Sequence, residues 1–454
     1  MIPVVTPAEM AAVDAAAPEP VDVLIDRAGR AVARAAIEML GGCYGRRVVV
    51  IAGKGNNGND GRAAAARLVR RGIRVRVLDA TDPGTVPECD LVIDAAYGTG
   101  FRGHWPAPDV GDTPVLAVDI PSGVDGLTGA ALGPVLRADR TVTFAALKPG
   151  LLFEPGRHFT GPIEVADIGL GVGAVATHLV EAGDVREWVP QRPSDAHKWK
   201  TAVWVIGGSR GMLGAAHLAA RGAQRAGAGY VRLSVPAMGA DDGAPAEVVS
   251  VALPAAPWSD AVLTGLHRIH ALVVGPGLGR ADSTGESARA LVRAATVPMV
   301  VDGDGLVALA WSSEGAAAVL RDREHATVLT PHDGEFAVLR GARVGPDRVA
   351  ATRDLARDLG AVVLLKGPTT VVAEPDGNVL LVSAGDERLA TAGTGDVLSG
   401  VIGALLARRI PAFHAAAAGA WLHGQAARHG VPDGFVAGDL PDLLPRAFAD
   451  AFDR

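Results

Sequence analysis

Residues 389–400 read L-A-T-A-G-T-G-D-V-L-S-G and decide how the C-terminal half of the chain is interpreted. From Val397 onward the apolar residues recur at the spacing of a helix face, which predicts a helix that begins close to Asp396. The first N–H groups of a helix lack partners and, with the helix dipole, favour anions, and Gly393 and Gly395 leave room for a phosphate. Asp396 is therefore either a structural helix-start residue or a catalytic carboxylate beside an anion site.

The composition favours a soluble protein that binds small molecules. The chain has 454 residues, of which 49% are hydrophobic, and this length predicts two large domains or three smaller ones. Its net charge is -7 and the charges are mixed along the sequence, which argues against a surface for nucleic acid or anionic membrane.

The sequence also favours a cytoplasmic location. It shows neither a basic region followed by an apolar run at its start nor a stretch of about 18 uninterrupted apolar residues, so we expect no membrane association. Cys43 and Cys89 lack the spacing of metal ligands, which favours a reduced compartment.

A glycine-rich segment dominates the first half of the chain. Residues 47–52 form an apolar run of strand length, and G-K-G-N-N-G-N-D-G follows at residues 53–61, before an Ala-rich helix. This order predicts the first unit of a doubly wound, Rossmann-like sheet, in which ligands bind beyond the carboxyl ends of the strands. The spacing matches neither the dinucleotide fingerprint nor the P-loop, so a structural turn remains an alternative. Asn56, Asn57 and Asp60 nevertheless concentrate polar groups at this edge.

Two further predicted strands end in carboxylates. Residues 91–94 end at Asp94, and residues 115–119 end at Asp119, which is followed closely by Ser122. Three strand ends with polar side chains favour a binding site over a set of helix caps. Amide, carboxylate and hydroxyl oxygens suit an alkali or alkaline-earth cation better than a transition metal.

Four motifs of this half, N-N-G-x-D-G, D-x-x-x-G-T-G, V-D-I-P-S-G and T-V-T-F-A-A-L-K-P-G, resemble the NAD(P)H-hydrate epimerase domain over residues 1 to about 175. The resemblance implies a Rossmann-like domain that interconverts the R and S forms of hydrated NADH or NADPH and binds potassium. It implies potassium ligands at Asn57, Asp94 and Ser122. The hydrate contacts that it implies are Asn56, Asn57, Gly58, Asn59, Asp60, Gly98, Thr99, Gly100, Phe101, Arg102, Gly103, His104 and Asp119.

Epimerisation needs an acid/base group to open and reclose the hemiaminal, and Asp119 is the candidate base. Family members usually read N-N-G-G-D-G, whereas this chain has Asn59 at the fourth position. If that glycine has a positive φ, Asn can replace it, but a close backbone contact with the ligand would be lost.

A stretch without periodicity separates the two halves. It contains Pro190 and Pro193, and it predicts domains at residues 1–191 and 192–454. A second series of strands alternates with helices and predicts a mainly parallel α/β sheet. These strands are predicted at residues 203–206, 271–275, 299–302, 328–330, 362–365 and 370–373.

Polar motifs again follow the strand ends. They read G-P-G-L-G at 275–279, D-G-D-G at 302–305, T-P-H-D-G-E-F at 330–336 and L-K-G-P-T-T at 365–370. A lone histidine such as His332 is more often structural than catalytic, and a strand-end lysine such as Lys366 is usually solvated, although it is placed to meet a nucleotide phosphate.

With the opening stretch, these motifs resemble the ADP- or ATP-dependent NAD(P)H-hydrate dehydratase domain, a ribokinase-like fold, from about residue 197 to the end. The family's H-K-G-x-x-G lead-in appears here as H-K-W-K-T-A at residues 197–202. The two resemblances together match the family of bifunctional NAD(P)H-hydrate repair enzymes. They imply that the S hydrate is returned to NAD(P)H at the expense of ADP or ATP, with release of phosphate and, from ADP, AMP.

The resemblance also implies site residues, a metal and an assembly. Magnesium is expected with the nucleotide, and a homo-oligomer, for which a tetramer is one form, is implied. The implied nucleotide contacts are Lys366, Gly367, Pro368, Thr369, Thr370 and Gly395. The implied hydrate contacts are Ala216, Gly277, His332 and Asp396.

The chemistry of dehydration gives Asp396 a role. Hydroxide leaves poorly, so phosphorylation of the hydroxyl followed by loss of phosphate provides a route, with Asp396 as the base. Two alternatives stay open, a ribokinase-like small-molecule kinase fused to a nucleotide-binding module and a non-catalytic nucleotide-binding protein.

Overall fold

The computed structural model of the protein describes residues 1–321 and 323–452. They divide into two compact units, one of residues 2–175 and one that extends from residue 176 onward. Both units are α/β, as the alternation of strand and helix patterns predicts.

The N-terminal unit is built on a parallel sheet. The short strand Ile2–Pro3 (β1) is not part of this sheet. The strands of the sheet are Arg47–Ala52 (β2), Arg74–Asp79 (β3), Leu91–Ala95 (β4), Val115–Val118 (β5), Arg140–Phe144 (β6) and Ile163–Ala166 (β7). Its helices are Pro7–Ala15 (α1), Val21–Leu40 (α2) and Asn56–Arg70 (α3), with 3-10 turns at Pro149–Leu151 and Gly156–Phe159. The sheet order is β3-β2-β4-β5-β6-β7, and each of these neighbours is parallel.

The central strands of this sheet are apolar because both faces are covered. Helices α2 and α3 pack on one face, where Val32, Val50 and Leu68 are buried in a common core. Trp105 and Leu136, from loops, cover the opposite face. A parallel strand buried on both sides needs a continuous apolar run, which is what β2 and β4 provide.

The C-terminal unit contains a larger sheet. Its strands are Thr177–Leu179 (β8), Ala202–Ile206 (β9), Tyr230–Ser234 (β10), Val249–Ser250 (β11), Ala271–Val274 (β12), Met299–Val301 (β13), Thr327–Leu329 (β14), Val362–Leu365 (β15), Thr370–Ala373 (β16) and Val379–Val382 (β17). They lie in the order β8-β17-β16-β15-β14-β13-β12-β9-β10-β11. The sheet is mainly parallel, as expected, but β16 runs antiparallel to both of its neighbours.

Helices pack around this sheet. They are Ala182–Trp188 (α4), Leu213–Arg225 (α5), Ser259–Thr264 (α6), Asp282–Ala294 (α7), Asp304–Ala310 (α8), Ala316–Leu320 (α9), Asp333–Arg340 (α10), Arg348–Leu359 (α11), Thr394–Ala407 (α12), Ala412–Arg428 (α13) and Leu440–Ala451 (α14). Two 3-10 turns lie at Lys198–Thr201 and Glu387–Leu389.

The division between the units falls earlier than the proline-rich stretch at residues 190–193 predicts. Strand β8 pairs in parallel with β17, and α4 packs on α13 and α14. Both elements precede the prolines and yet belong to the C-terminal unit. The structural division therefore lies between residues 175 and 176, not between 191 and 192.

Helix α12 is more buried than its predicted one-sided pattern suggests. It lies against α5, α13 and strands β9, β12 and β13, so nearly every residue after its first turn is enclosed. Glycines allow the close approach to α5. A Cβ added to Gly400 would lie 1.9 Å from the carbonyl oxygen of Ala219, and one added to Gly222 would lie 2.4 Å from that of Val397. This contact fixes the position of the N-terminal turn of α12.

We expect Gly222→Ala to lower the free energy of unfolding of the C-terminal unit by about 1–3 kcal/mol, because the added methyl group overpacks a backbone contact. Gly214→Ala on the same helix is the matched control, since a Cβ there meets nothing within 4 Å. The control should be neutral or stabilising by up to about 1 kcal/mol. Denaturant unfolding followed by tryptophan fluorescence measures both, and equal stabilities for the two variants would contradict the prediction.

Candidate active sites

The polar segment predicted as a turn after β2 is already helical. Helix α3 begins at Asn56 with Gly55 as its N-cap. Gly58 is required here because a Cβ on it would lie 1.9 Å from the carbonyl oxygen of Gly53. Asn59 is helical and donates its N–H to the Gly55 carbonyl at 3.1 Å. Because Asn59 has no positive φ, this position does not need glycine for its backbone conformation.

Asp119 follows β5 in a left-handed backbone conformation, with φ of 67°. Its N–H donates to the Val142 carbonyl at 2.7 Å, which holds the turn. Its Oδ1 accepts hydrogen bonds from Lys148 Nζ at 2.6 Å and Thr143 Oγ1 at 3.1 Å. Its Oδ2 lies 3.3 Å from the position of a Cβ built on Gly98. One oxygen is therefore held by the protein, and the other is directed toward the predicted hydrate loop.

Lys148 is a site residue that the sequence does not single out. It is 1% exposed, and its Nζ donates to Asp119, to Thr143 Oγ1 at 2.8 Å and to the Phe144 carbonyl at 3.1 Å. A buried ammonium needs such partners. One feature of the sequence could have indicated it. Lys148 directly follows the apolar residues A-A-L of the motif T-V-T-F-A-A-L-K-P-G, so it is expected to be buried and therefore to need a carboxylate as partner.

Two further carboxyl groups lie near Asp119. Asp60 on α3 is 8% exposed, and burial, followed by the charges of Asp119 and Asp14, raises its pKa to about 8. Burial and Asp119 also raise the pKa of Asp14 on α1, while Lys148 acts in the opposite direction. The pKa of Asp60 is the most strongly raised in this group because no cation is close enough to lower it.

The predicted potassium ligands lie at the same sheet edge. Asp94 is fully buried and accepts from Ser122 Oγ at 2.6 Å and from Ser122 N at 2.9 Å. Burial raises the pKa of Asp94, and no lysine or arginine of the described chain pairs with it. The side-chain oxygen and nitrogen of Asn57 are buried without a hydrogen-bond partner among the described residues. An unpartnered amide oxygen and a buried carboxylate without a cationic side chain, both at this sheet edge, are the kinds of group that a hard cation takes as ligands.

The loop after β4 carries the other predicted hydrate contacts. The Tyr97 and Phe101 rings lie 4.3 Å apart, and Trp105 packs edge-on against Tyr97 at 6.0 Å. The Trp105 ring N–H donates to the Ala80 carbonyl at 3.1 Å and anchors the loop. Thr99 and Phe101 are half-buried, while the exposed residues are Gly100, Arg102, Gly103 and His104.

In the C-terminal unit, Asp396 lies in the first turn of α12. The helix begins at Thr394, with Gly393 as an N-cap at φ of 95°, which confirms the predicted helix start. A Cβ on Gly395 would lie 3.3 Å from Lys366 Nζ. The lysine after β15 therefore reaches the N-terminal turn of α12, so the fold brings together a lysine and helix N–H groups that are far apart in sequence.

Lys366 is held by two carboxylates. Its Nζ donates to Asp302 Oδ1 at 2.9 Å and lies 3.6 Å from Glu335 Oε2. Ser399 of α12 donates to Asp302 Oδ2 at 2.6 Å. Burial acts to raise the pKa of Asp302, but Lys366 and the Ser399 hydroxyl outweigh it and hold that pKa below its ordinary value. The motifs D-G-D-G and T-P-H-D-G-E-F contain Asp302 and Glu335, but do not reveal this pairing.

The charge of Asp396 is compensated less completely than that of Asp302. Burial raises its pKa to about 7, and Asp302 adds to the shift while Lys366 opposes it. A carboxylate with this pKa is suited to accept a proton near neutral pH.

Buried His423 supports the turn that carries Asp396. Its Nε2 lies 2.9 Å from the Thr394 carbonyl, and burial lowers its pKa to about 4, so the ring is neutral and donates. The sequence did not indicate this role, because the histidine lies on α13 without a motif around it.

The other three predicted hydrate contacts of the dehydratase lie at the start of α10, on α5 and in the loop after β12. His332 is the N-cap of α10, and its Nδ1 accepts from Gly334 N at 3.0 Å and Glu335 N at 3.3 Å, while 60% of the side chain stays exposed. Ala216 is fully buried in α5. Gly277 has φ of 60° in the loop after β12.

The predicted nucleotide contacts after β15 lie in the hairpin loop between β15 and β16, which Arg348 holds in place. Arg348 Nη2 donates to the Lys366 carbonyl at 3.0 Å. A Cβ on Gly367 would lie 3.0 Å from the same Nη2, so a side chain there would have to displace the Arg348 guanidinium slightly. Thr369 is buried, and Thr370 begins the antiparallel strand β16. Pro368 completes this loop.

Comparison with known proteins identifies the family. The family model described as NAD(P)H-hydrate dehydratase matches residues 203–448, and the model described as YjeF-related protein N-terminus matches residues 21–86 and 79–150. A bifunctional NAD(P)H-hydrate repair enzyme of Moorella thermoacetica is 37% identical and aligns over 97% of this chain and 96% of its own length. The protein belongs to the family of bifunctional NAD(P)H-hydrate repair enzymes.

A second relative and a solved structure agree with this family. The bifunctional NAD(P)H-hydrate repair enzyme of Mycobacterium tuberculosis (strain CDC 1551 / Oshkosh) is 40% identical over 83% of this chain and 82% of its own. The ADP/ATP-dependent NAD(P)H-hydrate dehydratase of Bacillus subtilis, co-crystallised with ATP/Mg2+, is 28% identical with a TM-score of 0.51. That structure covers 61% of this chain and is itself covered completely.

The chain therefore combines an epimerase domain and a ribokinase-like dehydratase domain, as the motifs indicate. No helix within residues 1–321 and 323–452 is long and apolar enough to cross a membrane.

We expect Lys148→Met to lower the stability of the N-terminal unit by about 3–5 kcal/mol, because it leaves Asp119 without its buried partner. Lys54→Met, at an exposed position of the same unit, is the control and should change stability by less than about 0.5 kcal/mol. Hydrogen exchange of the β5 and β6 amides during denaturant titration reports the unit's unfolding. Similar exchange for both variants would show that the ion pair does not stabilise the unit.

Proposed function

We propose that Asp119 is the base of the epimerase reaction and that Asp396 is the base of a nucleotide-dependent dehydration of the S hydrate. The observation that carries the second assignment is the convergence of Asp396, Gly395 and Lys366 at the N-terminal turn of α12. It brings together a carboxylate, the helix N–H groups and a lysine, the groups that phosphoryl transfer requires.

In the N-terminal unit, Asp119 Oδ2 would accept the hydroxyl proton of the hydrate. Its other oxygen is occupied by Lys148 and Thr143, which fix the carboxylate in one orientation. The hydrate would lie along the first turn of α3 and the loop of residues 98–104.

Asn57, Asp94 and Ser122 would hold potassium next to the hydrate. The support is the unpartnered Asn57 side chain and the buried, uncompensated Asp94. When bound, a potassium ion would supply positive charge that stabilises the buried oxygens and orders the loop ends around the hydrate.

In the C-terminal unit, the hydroxyl of the S hydrate would attack the terminal phosphate of ADP or ATP while Asp396 takes its proton. The N–H groups at the start of α12 and Lys366 would stabilise the charge on the transferring group. Loss of phosphate together with a ring proton then restores the reduced nicotinamide. Ala216, Gly277 and His332 are the proposed hydrate neighbours.

The loop from Lys366 to Thr370 would contact the other nucleotide phosphates, with ADP as the expected donor. The Bacillus subtilis relative was co-crystallised with ATP/Mg2+, which supports nucleotide and magnesium as ligands here. Magnesium would be held through phosphate oxygens and water and would neutralise phosphate charge.

Assembly and location complete the proposal. A homo-oligomer, with a tetramer as the first form to test, rests on the family resemblance. A cytoplasmic location is supported by the unpaired cysteines Cys43 and Cys89.

When the protein is mixed with R and S hydrates of NADH, ADP, magnesium and potassium, we expect the full nicotinamide absorbance to return. The epimerase converts R to S, so both forms reach the dehydratase. Omission of potassium should slow only the recovery that depends on the R form, and Asp119→Asn should stop recovery at the initial S fraction. If no absorbance returns and another alcohol is phosphorylated instead, the small-molecule kinase is the better assignment.

Asp396→Asn should lower kcat of dehydration by about 100-fold to 10,000-fold and leave ADP affinity nearly unchanged, because the amide keeps the shape but accepts no proton. Since the raised pKa of about 7 leaves Asp396 protonated below neutral pH, kcat/KM of the parent should rise between pH 6 and pH 8. Asp376→Asn, at an exposed position after β16, is the control. Unchanged turnover in Asp396→Asn would exclude Asp396 as the base.

A further inference from the structure

The epimerase site contains more carboxylates than its lysine can neutralise. Lys148 has three protons, and all three are used by Asp119, Thr143 and Phe144. Asp119 is therefore the carboxylate that the ammonium of Lys148 contacts. No lysine proton remains for Asp60 or Asp14.

Asp60 lies on the helix whose first turn carries proposed hydrate contacts. It is on the buried face of α3, one turn from the helix start and close to Asn57, which is a proposed ligand of this site. Its carboxyl forms no hydrogen bond or ion pair within residues 1–321 and 323–452. The charged groups that face it are Asp14 on α1, Asp119 after β5 and, behind Asp119, Lys148 after β6.

The two carboxyl groups consequently differ in their partners. A buried carboxyl without a cation or donor keeps its proton, and the neighbouring carboxyl groups of Asp119 and Asp14 reinforce this for Asp60. One oxygen of Asp119 instead accepts from an ammonium and a hydroxyl, and its other oxygen faces the predicted hydrate loop, where it can accept a proton. The site can therefore offer one proton donor and one proton acceptor, a pairing that a ring-opening reaction requires.

We propose that Asp60 is the proton donor of the epimerase and works with Asp119 to break and re-form the bond between the ring nitrogen and the hydroxylated ring carbon. The proposal rests on the function proposed above for Asp119.

The protons balance in both directions. As the carbon–nitrogen bond breaks, Asp119 takes the hydroxyl proton, the hydroxyl becomes an aldehyde oxygen, and Asp60 gives its proton to the ring nitrogen. Rotation of the aldehyde presents its other face. When the bond re-forms, the nitrogen proton returns to Asp60 and Asp119 gives its proton back to the oxygen. A base alone would have to expel the nitrogen as an anion, which is why a donor is needed.

Asp14 serves as the control for Asp60, because it is the other nearby carboxyl group that receives no proton from Lys148. It is the more exposed of the two carboxyl groups without a lysine proton, and Lys148 counters the shift of its pKa. Asp14 would therefore adjust the charge around Asp60 without donating the proton.

The test follows the interconversion of purified R hydrate of NADH by chromatography, with potassium and without nucleotide, so that dehydration does not occur. We expect Asp60→Asn to lower kcat/KM by about 100-fold or more. The parent rate should fall about tenfold per pH unit above pH 8, and the residual rate of Asp60→Asn should lack this fall. Asp14→Asn should change the rate less than about threefold and keep the fall, displaced toward lower pH because one negative charge is removed.

Dehydration of the S hydrate with ADP, measured on the same samples, reports the concentration of intact C-terminal unit and serves as an internal standard. Parental epimerisation by Asp60→Asn, together with an inactive Asp119→Asn, would overturn the donor role and leave the Asp119 assignment in place. An active Asp119→Asn would instead remove the proposed base. If Asp60→Asn does not fold, the pH profile of the unsubstituted protein provides the test. An epimerisation rate that does not fall above pH 8 would overturn the proposal.

Discussion

A lysine in contact with carboxylates sets the charge balance in each unit. The buried Lys148 pairs with Asp119 in the first unit, and the half-buried Lys366 pairs with Asp302 and lies near Glu335 in the second. Desolvation makes a buried ammonium costly unless a carboxylate contacts it, so each pair is also a structural requirement. Each lysine leaves a further carboxyl nearby without full compensation, Asp60 in one unit and Asp396 in the other, and their pKa values rise to about 8 and about 7. The two units thus share one arrangement, in which a lysine is paired with a carboxylate and a second carboxyl group nearby has a raised pKa.

Close backbone contacts keep these groups in position. Gly58 lets the first turn of α3 pack on the turn after β2, and Gly222 and Gly400 let α12 pack on α5. The helix starts that carry Asp60 and Asp396 are therefore attached to the sheets by contacts that tolerate no added atom. Such rigid support is what a reacting carboxylate requires, because small displacements reduce the efficiency of proton transfer.

Local sequence signals were sufficient for part of this description. The strand-end motifs located Asp94, Asp119 and Lys366, and the glycines before Asp396 located the start of α12, because these features depend on neighbouring residues. Lys148, His423 and the approach of Glu335 to Lys366 could not be recognised in the same way. Their importance comes from partners that are distant in sequence, and the choice of which carboxylate each lysine neutralises exists only in the folded chain. The early start of α3 was missed for another reason, since the packing at Gly58 overrides the weak helix propensity of glycine and asparagine.

Strand β8 has a consequence for how the two activities could exist as separate polypeptides. It is only three residues long, Thr177–Leu179, and yet it covers one side of β17. A dehydratase released by cleavage in the proline-rich stretch would lose this cover and expose the backbone of an apolar strand, V-L-L-V, to other chains. Exposed apolar edges of this kind promote aggregation. Residues 176–189 therefore protect an edge of the dehydratase sheet, although they precede the proline-rich stretch.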